Sequence, residues 1–205
     1  MTLTGQGDRA HLGTPDTGLD THVQDVVALL ETEELTGVVL VGHSYAGAVV
    51  GGVAGRVPER IARLVYLDAI VLEPGHSIFG DAPYLEEPMQ ASADAAGDGW
   101  RVPVVTDEEL TACFGDHGMT ADDRRWFRAH GVPQPIRVSR DVLPPAAADA
   151  ERVARTYVRC TATPGESPVR PGQRGWDYAE LPTGHWPMLT MPAELSALLD
   201  REARR

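Results

Sequence analysis

Ser44, His185 and one of two carboxylates, Asp68 or Glu166, are the side chains of this sequence best suited to act together. Ser44 lies in Gly42-His-Ser-Tyr-Ala-Gly47, after the apolar run Val38-Val-Leu-Val41 and before a small-residue stretch, Ala46 to Val57. A serine where a buried strand turns sharply into a helix is the nucleophile elbow of a serine hydrolase. Such a strained turn needs small neighbours two places to either side, here Gly42 and Ala46. The Tyr45 backbone N–H would face the oxygen of an attacked carbonyl.

A serine hydroxyl is a weak nucleophile near neutral pH and needs a base within hydrogen-bond reach. Of the 7 histidines, His185 falls between the last predicted strand and the last predicted helix, in Leu181-Pro-Thr-Gly-His-Trp-Pro-Met188. Loops that follow parallel strands converge at the carboxyl edge of a sheet, which brings His185 to Ser44. His43, beside the serine, is expected to point elsewhere, and His11, His22, His76, His117 and His130 lack that position. A carboxylate should orient the base and stabilise its cation. Asp68 ends the strand after the elbow, and Glu166 lies in Thr163-Pro-Gly-Glu-Ser-Pro168, after the next-to-last strand. Asp68 is preferred, because a strand end fixes it more firmly than a glycine-flanked loop fixes Glu166. Its plainer role would be to hold the loop that follows it.

The elements that must position these residues follow an α/β pattern. Residues 1–19 read as loop. Asp20 to Glu34 is an amphipathic helix with Val23, Val26, Val27 and Leu30 on one face, and Thr21 with Gln24 has capping-box spacing. Strands are expected at Val38–Val41, Leu64–Leu67, Thr156–Cys160 and Trp176–Leu181, and a closing helix at Pro192–Ala203. Gly47, Gly51, Gly52 and Gly55 in the post-elbow helix suggest close helix-to-sheet packing. Between about 73 and 149 the periodicity breaks down among eight prolines, with two short helices at Asp107–Phe114 and Ala121–His130. That stretch reads as a cap inserted into one domain, 1–205. Phe79, Tyr84, Leu85, Met89, Trp100, Phe114, Met119, Trp126 and Phe127 are its pocket candidates, although packing within the cap is the plainer role for each.

Composition narrows the partners. All 18 basic residues are arginine, set against 30 acidic ones, for a net charge of −12. A chain without lysine has no Schiff-base chemistry and no phosphate-loop lysine. Its acidity argues against nucleic acid and anionic membranes. Cys113 and Cys160 form neither a disulfide framework nor metal spacing. No basic, apolar leader and no bilayer-length run is present, so the expectation is a cytoplasmic protein.

Val39-Leu-Val-Gly-His-Ser-Tyr-Ala-Gly47, Leu64-Val-Tyr-Leu-Asp-Ala69 and Thr183-Gly-His-Trp-Pro-Met188 resemble bacterial α/β-hydrolase-fold proteins related to the plant methyl esterase and hydroxynitrile lyase group. The resemblance implies a mostly parallel sheet flanked by helices and carrying a cap. It implies Ser44 as nucleophile, His185 as base and the Tyr45 amide as one oxyanion donor. The plant members usually carry their acid near the position of Thr163, where this chain has none, and a small residue at the position of Asp68. That exchange is a second reason to prefer Asp68.

In the family, residues like Thr2–Leu12 follow a strand–helix–strand unit of roughly 30 residues or more. This sequence starts at that point, so an N-terminally truncated version of the fold is expected. Strand Val38–Val41 would then be an open apolar edge, which would permit a homo-oligomer. The unit also brings a His-Gly loop with a second oxyanion N–H, and losing such a donor costs about 10²–10³ in turnover. The His-Gly pairs here, His117-Gly118 and His130-Gly131, both lie in the cap.

The expected activity is hydrolysis of a small carboxylic ester through an acyl-serine intermediate, with no cofactor or metal implied. A non-catalytic small-molecule binder, or an inactive fragment of the same fold, is the alternative. Cyanohydrin cleavage is disfavoured, because lyases of that group use a lysine near the histidine and here Trp186 follows His185.

Overall fold

Apolar residues at every position of a strand demand cover on both faces, and the central strands receive it. The computed structural model of the protein describes residues 1–115 and 118–205; His117 lies outside them. Four parallel strands form the main sheet: β1 (Val38–His43), β2 (Ile61–Leu67), β5 (Ala154–Cys160) and β6 (Asp177–Leu181), in the order β1-β2-β5-β6. Leu64, Tyr66 and Tyr157 face one side, against α1 (Leu19–Thr32) and α2 (Ala46–Arg56). Val65, Leu67 and Val158 face the other, with Leu195 and Leu198 of α9 (Pro192–Ala203). Each such buried side chain contributes roughly 1.5–3 kcal/mol. β1 is an edge strand, and Val41 on it remains 38% exposed.

Most predicted elements appear with shifted ends. α1 begins one residue earlier than expected and its cap differs. The Gly18 N–H donates to Thr21 Oγ1 (3.2 Å) and the Leu19 N–H to Asp141 Oδ2 (3.0 Å), while Gln24 accepts from Arg56 (3.2 Å) instead. β1 runs two residues further, and β2 starts three residues before the expected Leu64. The α2 glycines do not all meet the sheet. A Cβ on Gly52 would lie 2.6 Å from Val23 of α1, so this glycine sets a helix–helix contact.

The region between β2 and β5 is more ordered than its sequence suggests. It holds α3 (Ile78–Asp81), α4 (Glu86–Ala96), α5 (Asp107–Phe114), α6 (Ala121–His130) and α7 (Arg137–Arg140), plus a short antiparallel pair, β3 (Arg101–Val102) with β4 (Gln134–Pro135). α4 escaped the periodicity because Ala93 is its one buried residue, and Pro88, in its first turn, reads as a break. Ile78, Phe79 and Ile136 make a small core of their own. Tyr45 and Ile70 from the sheet edge pack against it. The last short helix, α8 (Pro187–Thr190), precedes α9. Among the described residues no helix is long and apolar enough to cross a membrane.

Candidate active site

The turn after β1 holds Ser44 in a left-handed conformation, φ +54°. For a non-glycine residue this costs on the order of 1–3 kcal/mol and persists only where neighbours enforce it. The Ser44 N–H donates to the Leu67 carbonyl (3.3 Å), and the Ser44 carbonyl accepts from Gly47 (3.1 Å) and Ile70 (3.0 Å). A Cβ on Gly42 would lie 2.5 Å from the Ala46 oxygen, and one on Gly47 would lie 2.1 Å from the Ile70 oxygen. Glycine is therefore required at both places. Tyr45 is the N-cap of α2, so its amide belongs to the helix end whose N–H groups lack intrahelical partners.

Asp68 is the carboxylate bonded to His185. It also has a left-handed φ, +43°, and its N–H donates to the Val158 carbonyl (2.7 Å). Its Oδ2 accepts from His185 Nδ1 (2.7 Å) and Thr163 Oγ1 (2.7 Å), and its Oδ1 from the Cys160 N–H (3.1 Å) and Arg159 (3.3 Å). Burial opposes its charge, but hydrogen bonds from His185, Thr163 and Cys160 outweigh that and hold the carboxyl below its ordinary range. Glu166 lines the same cavity as Asp68 and His185 but hydrogen-bonds neither: its side chain is 92% exposed and pairs with Arg170 at 3.7 Å. Thr163 thus donates to Asp68, the residue that follows β2.

His43 is turned to the His185 backbone. Its Nε2–H donates to the His185 carbonyl (2.6 Å), and the two rings lie 4.6 Å apart. Burial, then the proximity of His185, pushes the His43 imidazole down to about 4. On the other side Phe114 from α5 stacks on the His185 ring at 4.6 Å, 16° from parallel. Behind the elbow the Tyr45 hydroxyl donates to His22 Nδ1 (2.9 Å), while His22 Nε2–H donates to the Thr4 carbonyl (2.8 Å). Burial lowers the His22 pKa and raises that of Tyr45. The roles of Phe114 over the histidine and of His43 beneath it carry no local sequence signal.

Two cavities meet at Ser44. One, about 680 Å³, runs past Tyr45, Val104, Phe127 and Val132 and includes Gln6. The other, about 480 Å³, runs past Leu72, Tyr84 and Arg159 and includes His185. Ile70, Ile78, Leu85 and Phe114 line both. Of the cap's pocket candidates, Met89 also lines the larger cavity, whereas Phe79, Trp100, Met119 and Trp126 line neither. The Ser44 hydroxyl makes no hydrogen bond among the described residues; catalytic contacts of this kind often tighten only when substrate binds. No three His, Cys, Asp or Glu side chains among the described residues gather as a metal site.

The profile of the alpha/beta hydrolase family matches residues 1–198. The chain belongs to that family. A carbendazim-hydrolysing esterase from Nocardioides sp. strain SG-4G is 35% identical over 209 residues, spanning 97% of this hydrolase and 84% of the relative. Solved structures agree on the fold. An extracellular α/β-hydrolase from a Paenibacillus species, described as homologous to tobacco salicylic acid binding protein 2, superposes with a TM-score of 0.75 at 19% identity, over 97% of this chain and 84% of that one. A methylesterase from Arabidopsis gives 0.69 at 21% identity, over 98% and 84%.

Proposed function

We propose that this protein is a serine hydrolase that cleaves a small carboxylic ester through an acyl-serine intermediate. Its family and the named esterases among its relatives support carboxylic ester hydrolysis as the general activity. The observation that carries the mechanism is the buried Asp68–His185 hydrogen bond at the cleft that Ser44 enters. With Nδ1–H directed at Asp68, His185 keeps Nε2 as the free base.

His185 Nε2 takes the Ser44 proton as Oγ attacks the carbonyl carbon. The carbonyl π pair moves to oxygen, where the Tyr45 N–H and the positive end of α2 receive it. Collapse expels the alcohol, protonated by His185, and leaves the acyl group on Ser44. Water then repeats the sequence and releases the acid. Asp68 stays anionic throughout and stabilises the imidazolium. Apolar lining on both sides of Ser44 suits an uncharged ester. Intact-mass labelling with a fluorophosphonate probe, run beside Ser44→Ala, tests the reading. One adduct on the wild type and none on the variant is expected. Soluble wild type without an adduct would remove the mechanism.

A further inference from the structure

The imidazole of His185 is covered by a ring from the cap that takes no part in the proton transfers. Its Nδ1–H is directed at Asp68 in the plane of the ring, and the rings of His43, Trp186 and Phe114 lie around it. His43 and Trp186 are 4.6 and 4.9 Å away between centroids but tilted by 43° and 86°. Phe114, at 4.6 Å and 16°, instead lays its face on the imidazole. The face of a benzene ring is its negative side, and it attracts a cation within about 6 Å of the centroid. A neutral imidazole gains ordinary stacking from that face. An imidazolium gains electrostatic attraction as well.

Phe114 is held in this place from several directions. It ends α5, whose first turn is fixed by Thr106: Oγ1 accepts from the Glu109 N–H (3.2 Å), and the Thr106 N–H donates to Glu109 Oε2 (2.7 Å). Leu110, one turn before Phe114, is fully buried. A Cβ on Gly115 would lie 3.0 Å from Pro164 Cγ, so the end of α5 is seated against the loop whose Thr163 donates to Asp68. Trp186 braces the arrangement, 4.8 Å and 70° from Phe114 and 5.4 Å and 73° from Phe127 of α6. Two cap helices therefore pack on the base and its neighbour.

We propose that Phe114 is a positioning residue that acts through His185, its ring face stabilising the imidazolium formed in both acylation and deacylation. The inference rests on the acyl-serine reading of Ser44. In acylation the proton moves from Ser44 Oγ to His185 Nε2 and then to the leaving alcohol. In deacylation it moves from water to Nε2 and then to Ser44 Oγ as the acyl bond breaks. His185 is cationic at both tetrahedral intermediates and neutral whenever it acts as base. An attraction felt by the cation alone favours the transition state over the bound ester, so it raises kcat and leaves KM in place.

The test replaces Phe114 by mono-, di- and trifluorinated phenylalanine, and separately uses Phe114→Leu. Each fluorine withdraws charge from the ring face while the ring stays in place at nearly the same size. Leucine keeps an apolar side chain and removes the face. kcat and KM for p-nitrophenyl acetate and the thermal midpoint are read for wild type, for these variants and for Ser44→Ala. The logarithm of kcat should fall in steps with fluorine number, to about tenfold in total, with KM within about twofold and the thermal midpoint unchanged. Phe114→Leu should lose at least as much. Ser44-dependent turnover that stays level across the fluorinated series overturns the role of Phe114 alone, whatever Phe114→Leu does. A fall that tracks the thermal midpoint, or a change confined to KM, assigns the ring to packing or to substrate contact and overturns it as well. Wild-type turnover that is absent, or equal to that of Ser44→Ala, overturns the acyl-serine reading and this inference together.

Discussion

The carboxyl edge of the sheet and the region above it are held in different ways. At the edge, Asp68 is buried and accepts from four groups, and Ser44 is locked by backbone bonds to Leu67, Gly47 and Ile70. In the region above, long side chains at the surface do much of the joining: Arg140 to Glu86 (3.1 Å) and Gln90 (2.8 Å), Arg137 to Asp16 (2.8 Å), and Arg128 to Asp107. Exposed pairs of that kind contribute little, while buried hydrogen-bonded charge is costly to disrupt. The comparison teaches that the backbone of Ser44 and the Asp68–His185 pair are held from many directions and that the roof over them is more easily altered.

The largest effect that would break this contrast is at Asp68. Asp68→Asn should lower kcat on the order of 10⁴-fold in steady-state ester hydrolysis, because it removes the acceptor that sets the His185 tautomer. Glu166→Gln should leave kcat within about twofold, as expected for an exposed pair. The reverse result would move the acid to the loop.

Acid should act on the edge before it acts on the roof. The folded His43 value, about 4, lies below its ordinary 6.5, so its contribution to stability is complete above 6.5 and drains as pH falls toward 4. His22 is shifted in the same direction, and Asp68, also lowered, loses its share only as pH falls below the ordinary carboxylate range. Unfolding free energies from urea titrations at pH 7 to 4 should fall, by roughly 2–3 kcal/mol from His43 alone. His43→Gln keeps an N–H donor for the His185 carbonyl and should flatten that slope. An unchanged slope would assign the acid sensitivity elsewhere.

The smallest effect belongs to the roof. Arg140→Ala should lower the unfolding free energy by no more than about 1 kcal/mol, read by chemical denaturation. A larger loss would mean that the Arg140 cluster is as tightly coupled to the fold as the sheet edge is.

Legibility followed the same division. α5, α6 and α9 have the ends expected from the sequence, and in the structure Thr106 and Thr120 each cap with an acid three residues on. The strands were recognisable as apolar runs, and the elbow as a serine between small residues. α4 was not, because a helix that buries only Ala93 shows no apolar face. For His43 the sequence could say only that it is not aimed at the serine: its partner is a backbone oxygen 142 residues away, which local geometry does not disclose.

The sequence alone determined the α/β order of elements, the turn that raises Ser44, and the loop that carries His185, because periodicity and turn chemistry are local properties of the chain. It left open which carboxylate, Asp68 or Glu166, meets His185. Strand order brings Asp68 there. Placing β2 beside β5 sets the end of one against the end of the other, so that Asp68 meets Cys160, Thr163 and His185 across as many as 117 residues. Which strands become neighbours depends on the packing of the whole sheet, and only the folded molecule records it.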